Sequence, residues 1–270
     1  MDGAARLIRA AGGEPSGAPR SRGTREVLPT MARTVAWLSW AVVAFAVLAA
    51  VLQLALTLHL VVPFPEFQPS VHLEDRLIAF RAYDQQVFPL VVGSSLASLA
   101  LFATVALLGT ALRWFAKAGP GRDVMAVLFI LAGTVGVVSQ VVNLAVGQEA
   151  TEPYCVCEFI PEQLIAQDMA LLTGWEIQLW LVITAVTLVG IAAAAAGRVV
   201  PVGGSWTTLS YVIAAAVLFS VGLRLVAMFV GSDFDLAMVS DIVVALVSIV
   251  LVPIWGVMLA RAGSRLEPAA

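Results

Sequence analysis

The stretch Thr207–Val230, TTLSYVIAAAVLFSVGLRLVAMFV, decides how this chain folds. It holds a single charged residue, Arg224, among apolar side chains. A helix rises about 1.5 Å per residue, so these residues reach across the roughly 30 Å hydrocarbon core of a bilayer. Only a helix satisfies every backbone group of such a segment without water.

Five further stretches read the same way: Val35–Val62, Val87–Leu112, Val124–Val146, Ala170–Ala196 and Ala237–Ala260. The connectors between them are short and charged or contain Pro and Gly, as in Arg113–Asp123 with Gly119-Pro120-Gly121. The spacing predicts an all-α bundle of six transmembrane helices, built as three hairpins. Composition agrees. The 270 residues are 60% hydrophobic and 12% charged, against about 45–50% and about 25% in a globular domain. That much apolar surface cannot hide in one water-soluble core. A net charge of −3 argues against a nucleic-acid partner.

Lys and Arg in short loops set orientation. Arg6, Arg9, Arg20, Arg22, Arg25 and Arg33 precede the first span. Arg113, Lys117, Arg122, Arg198, Arg261 and Arg265 fall on the same side. The opposite side carries only Arg76 and Arg81, with acids such as Glu66, Glu74, Asp75, Asp84, Glu149, Glu152, Glu158, Glu162, Asp168, Asp233 and Asp235. Both termini are therefore expected in the cytoplasm of a bacterial-type cell, with the acidic loops outside the plasma membrane. Trp37, Trp40, Trp114 and Trp206 fall near inner span ends and Trp175 near an outer one, as an aromatic belt requires.

Residues 1–34 read as a disordered cytoplasmic segment, 35–261 as the membrane domain and 262–270 as a short tail. Gly, Pro, Ser and Arg dominate from Gly12 to Arg25, and no apolar core precedes a cleavage site, so a signal peptide is not expected. Met31 is a candidate alternative start.

The odd-numbered spans carry a polar residue at similar depth: Gln53, Gln140 and Arg224. Small residues precede two of them, in Ala132-Gly136-Gln140 and Ala216-Ser220-Arg224, at a spacing that lets helices approach closely. The fourth and sixth spans end alike, with Gly190 and Gly197 and with Gly256 and Gly263. These features suggest a threefold repeat of hairpins.

Polar groups in hydrocarbon are costly and mark candidate sites. The set is Gln53, His59, Ser94, Ser95, Ser98, Gln140, Asn143, Glu176, Gln178, Arg224 and Asp241. By the helical rise, nearly all lie within about 5–13 Å of the outer span ends. The inner halves are Ala, Val, Leu and Ile. Arg224 stays charged at this depth and needs a carboxylate. Asp241 is the nearer candidate along the chain, and Glu176 is the second. One reading makes the pair a staple between helices. The other makes Gln53, Gln140, Asn143, Glu176, Arg224 and Asp241 the lining of an outward-facing pocket, with Arg224 holding an anionic group. A proton relay is disfavoured, because no acid lies in the inner half. With His72 in a loop, two-histidine haem ligation is not expected, and His59 reads as an interfacial residue.

Cys155 and Cys157, in Tyr154-Cys155-Val156-Cys157-Glu158, fall on the oxidising side. A disulfide, soft-metal binding such as Cu(I), and thiol–disulfide exchange all remain open for them. Val71–Tyr83 alternates apolar and charged residues and reads as a short helix lying on the membrane surface. No G-x-x-x-x-G-K-[ST], H-E-x-x-H or G-x-S-x-G occurs.

The expected protein is thus non-enzymatic, with the lipid bilayer and a membrane-protein partner or a second copy as its surroundings. It would bind a small ligand or serve as an accessory subunit. No metal site is assigned, and no cofactor can be named. Length, six spans and internal termini also resemble bacterial export permeases that work with a separate ATPase. That resemblance is of architecture alone, because Arg113–Asp123 has no coupling segment.

Overall fold

The computed structural model describes residues 22–65, 73–151, 161–230 and 234–263. They form α1 (Arg22–Thr57), α2 (Leu73–Leu112), α3 (Pro120–Thr151), α4 (Pro161–Val199), α5 (Gly204–Val230), α6 (Phe234–Leu246), a π turn (Val247–Leu251) and α7 (Val252–Gly263). The fold is all-α, with six helices long and apolar enough to cross a membrane. The sixth runs from Leu236 to Gly263 through α6, the π turn and α7. The chain is a multi-pass membrane protein. Trp37, Trp114, Leu107, Phe219 and Phe229 are exposed, which is the surface a helix presents when its solvent is lipid.

Three boundaries differ from the sequence-based reading. First, α1 begins at Arg22, so Arg22–Thr34 is helix; residues 1–21 and 264–270 lie outside the described residues. Second, the first span stops at Thr57 rather than Val62. Leu60 N–H donates to Ala55 O and His59 N–H to Leu56 O, with His59 at φ 49°. This is a Schellman cap, with His59 in the left-handed position that Gly usually fills. Third, the surface helix expected over Val71–Tyr83 is the first part of α2. One continuous helix runs from Leu73 to Leu112 and passes through Pro89.

Each helix packs on its chain neighbours, and α1 meets α6 and α7 to close the bundle. The ends alternate, so the connectors α2–α3 and α4–α5 share one end with the start of α1 and the end of α7. This is the basic end; the opposite end is acidic. The hairpins join one another through glycines. A Cβ on Gly109 of α2 would fall 2.2 Å from Phe129 Cβ of α3. On Gly197 of α4 it would meet Ser210 of α5 at 2.8 Å, and on Gly256 of α7 it would meet Val43 of α1 at 2.5 Å. The three seams between hairpins thus use the same device, which lets backbones approach where lipid supplies no hydrophobic drive. Of the small-residue triplets one shares it. Gly136 of α3 meets Phe102 of α2 at 2.2 Å across a seam between hairpins, whereas Ser220 faces α6 within its own hairpin.

The basic end is closed by apolar side chains. Phe115 and Ala116, in the connector after α2, are buried with Leu112, Met125, Val200, Leu259 and Val35. Lys117 N–H donates to Val199 O at 2.9 Å, tying that connector to the end of α4. Trp206 is 0% exposed, so it belongs to the core and not to the belt. Its ring stacks on Trp255 with centroids 5.1 Å apart. Trp206 Nε1 donates to Trp255 O at 3.2 Å, Trp255 Nε1 donates to Ser210 Oγ at 2.8 Å, and Ser210 Oγ donates to Trp206 O at 2.9 Å. Every indole N–H in this clamp has a partner, as burial demands.

Candidate functional site

The acidic half of the bundle buries polar side chains. Ser94, Ser95, Ser139, Gln140, Ser220 and Ser240 are all buried there. Their bonds fall into two groups on different seams. On the α2–α3 seam, Asn143 Nδ2 donates to Ser95 Oγ at 2.8 Å. Gln140, 7% exposed, donates from Nε2 to Ser139 Oγ at 3.2 Å, and Ser139 Oγ donates to Gly136 O at 2.7 Å.

The second group lies on the α5–α6 seam. Ser240 Oγ donates to Ser220 O at 2.9 Å, which brings the two helices together one turn from Arg224 and beside Asp241. Arg224 Nη1 donates to Ala237 O at 3.2 Å and lies 3.4 Å from both Oδ1 and Oδ2 of Asp241. The side chains are 25% and 32% exposed. Asp241 is therefore the carboxylate that faces Arg224. The pairing is loose: a well-formed guanidinium–carboxylate bond has N···O of about 2.7–2.9 Å and is usually bidentate. All of these contacts use one nitrogen. Among the described residues, Arg224 Nε and Nη2 have no hydrogen-bond partner.

Of the six residues expected to line one pocket, only Arg224 and Asp241 are brought into contact. Gln140 and Asn143 lie on α3, which packs on α2 and α4 and not on α5 or α6 among the described residues. Gln53 and Glu176 occupy exposed positions on α1 and α4. Gln53, Gln140 and Arg224, set at similar depth by the sequence, are exposed, buried and half-buried in turn. Cys155 and Cys157 lie outside the described residues.

Two surface concavities are present away from these groups. One, of about 380 Å3, opens at the acidic end between Ala145, Val146, Gln148 and Glu149 of α3 and Ala170 and Leu171 of α4. The other, of about 270 Å3, lies at the basic end of α1 among Arg33, Ala36, Trp37 and Trp40.

Sequence reasoning passed over several participants. Ser220 reads only as a small residue, and Ser139 and Ser240 are not singled out, yet their hydroxyls occupy buried acidic-half positions. Tyr83 was counted with a surface helix, but its hydroxyl shares a 2.9 Å hydrogen bond with Nδ1 of His59. Phe64 packs edge-on to Tyr83 with centroids 5.4 Å apart. This contact secures the αL position of His59 across the α1–α2 connector.

No protein-family model, curated protein or solved structure matches the chain.

Proposed function

We propose that this is a non-enzymatic plasma-membrane protein of bacterial type, with cytoplasmic termini, that presents Arg224 outward to an anionic group. That group belongs to a small ligand or to a partner subunit. The supporting observation is the half-used guanidinium. Arg224 is held in place through Nη1, while its Nε–Nη2 edge is left for a second acceptor. A carboxylate or phosphate meets that edge with two parallel hydrogen bonds. The 3.4 Å contacts with Asp241 orient the group and keep local charge balanced without saturating it. At this depth the site is partly removed from water, so the interaction is stronger than at an open surface.

A transport-permease reading draws on the π turn, which sits in the sixth span between Asp241 and the tryptophan clamp. Wide turns of this kind recur at functional sites.

The test compares anionic molecules that co-purify in mild detergent with the native protein and with Arg224→Gln, Arg224→Lys and Asp241→Asn, identified by mass spectrometry. A carboxylate or phosphate compound held by the native chain, weakened in Arg224→Lys and lost from Arg224→Gln, supports the proposal. Identical sets from all four proteins refute it. So does a double change, Arg224→Gln with Asp241→Asn, that restores the stability lost in each single change, because the pair is then a staple.

A further inference from the structure

We infer that the basic end of α1 carries a binding site for one anionic phospholipid, formed by Arg33, Ala36, Trp37 and Trp40. The spacing of Arg33, Trp37 and Trp40 is i, i+4, i+7, which places all three on one face of the helix. With Ala36 they line an open concavity of about 270 Å3. Trp37 is 76% exposed and Trp40 51%, so neither indole is used in packing the bundle. The backbone beneath is fixed, because Gly263 at the end of α7 packs against Ala32 O and Ala36.

Charge selects the ligand. At the same end, Arg113 Nη2 is neutralised by Asp123 at 2.8 Å. Arg33 is exposed and makes no ion pair or hydrogen bond among the described residues. A phosphate is its complement. Depth then separates a lipid from a free ion. Trp37 and Trp40 lie about 6 Å and about 10 Å further along α1 than Arg33, toward the bilayer centre, by the helical rise. The site is therefore graded, with cation first, then indole N–H and ring. A phospholipid matches that order, with its phosphate on Arg33 and its glycerol and upper acyl carbons against the two rings. Inorganic phosphate would meet only the arginine. The site is on the opposite side of the bundle from Arg224 and does not depend on the function proposed for that residue.

Native mass spectrometry of the full chain, titrated with phosphatidylglycerol or with phosphatidylcholine of the same acyl chains, tests this. The native protein is expected to bind a first phosphatidylglycerol about fivefold more tightly than phosphatidylcholine, the preference that one arginine near a membrane surface supplies. Arg33→Gln removes that preference, Arg33→Lys keeps most of it, and Trp37→Ala with Trp40→Ala weakens both lipids alike. All three positions are exposed, so an unchanged melting temperature serves as the folding control. Equal binding of the two lipids by the native chain, or an unchanged preference in Arg33→Gln, overturns the inference. Displacement of phosphatidylglycerol by millimolar inorganic phosphate also overturns it, because the site then reads phosphate and not lipid.

Discussion

At the basic end the buried side chains include Trp206, Phe115, Leu112, Leu259 and Val35; in the acidic half they include Ser94, Ser95, Ser139, Gln140, Ser220 and Ser240. The two ends of one bundle are held by different forces. Lipid tails are as apolar as leucine, so burying an apolar side chain between helices gains little from solvent. At the basic end the gain is contact: stacked indoles, glycine seams and interlocked aromatic rings, each lost if a neighbour shifts. In the acidic half it is hydrogen bonding between short hydroxyls and amides, which tolerates small displacement. Interlocked shape dominates the first region and polar contacts the second.

The contrast makes predictions that differ in size. Trp255→Ala should cost the most, about 3–5 kcal/mol, because it removes a stacked ring and the hydrogen bond from its Nε1 to Ser210. Unfolding in micelles followed by circular dichroism measures it, and a cost under 1 kcal/mol would show that the clamp does not hold the basic end. Gly109→Val should follow at about 1–3 kcal/mol, since its side chain enters space held by Phe129. Pairing it with Phe129→Ala should recover little of that loss in the same assay, because alanine keeps the Cβ that stands 2.2 Å away.

The acidic half should respond less. A double-mutant cycle on Arg224 and Asp241 should return a coupling below about 2 kcal/mol, in line with polar pairs between membrane helices. A larger coupling would make the pair as rigid as the basic end and dissolve the distinction. A cycle on Ser95 and Asn143 should give about 0.6 kcal/mol. Smallest of all, Trp37→Phe should change stability by less than about 0.5 kcal/mol, because Trp37 is exposed. Trp37 and Trp206 are the same residue type near the same end, and the difference between them measures burial together with the stacking and hydrogen bond made there.

The six spans were legible because apolar length is itself the signal, and Thr207–Val230 alone carried enough of it. The partner of Arg224 was legible too, since α5 and α6 follow each other through a short connector. The clamp was not. Trp206, Ser210, Ile213, Ala214, Val217 and Ser220 form one buried stripe on α5. In a water-soluble protein a polar opposite face would have exposed that stripe; here the opposite face is Tyr211, Val212, Leu218 and Phe219, equally apolar. The same lack of contrast hid which neighbour each polar residue meets. Depth can be counted along a helix, whereas azimuth cannot be read when every side is oily. Gln53, Gln140 and Arg224 therefore came out at one level although they lie on different helices and are exposed, buried and half-buried in turn.

Azimuth is also what the π turn governs. Val252 N–H donates to Val247 O, a bond reaching one residue further than in an α-helix. It comes immediately before Pro253, whose ring would otherwise press on the carbonyl four residues back. One extra residue in a turn rotates all that follows by about 100°. Trp255, Gly256 and Leu259 thus meet α5 and α1 in a phase that a regular helix starting from Asp241 would not give them. Length along this span is consequently not a free variable. Adding a single residue between Leu246 and Val252 would leave the hydrophobicity of the span intact and turn the clamp by about 100° toward lipid, whereas deleting one would convert the wide turn to a regular one and keep its phase.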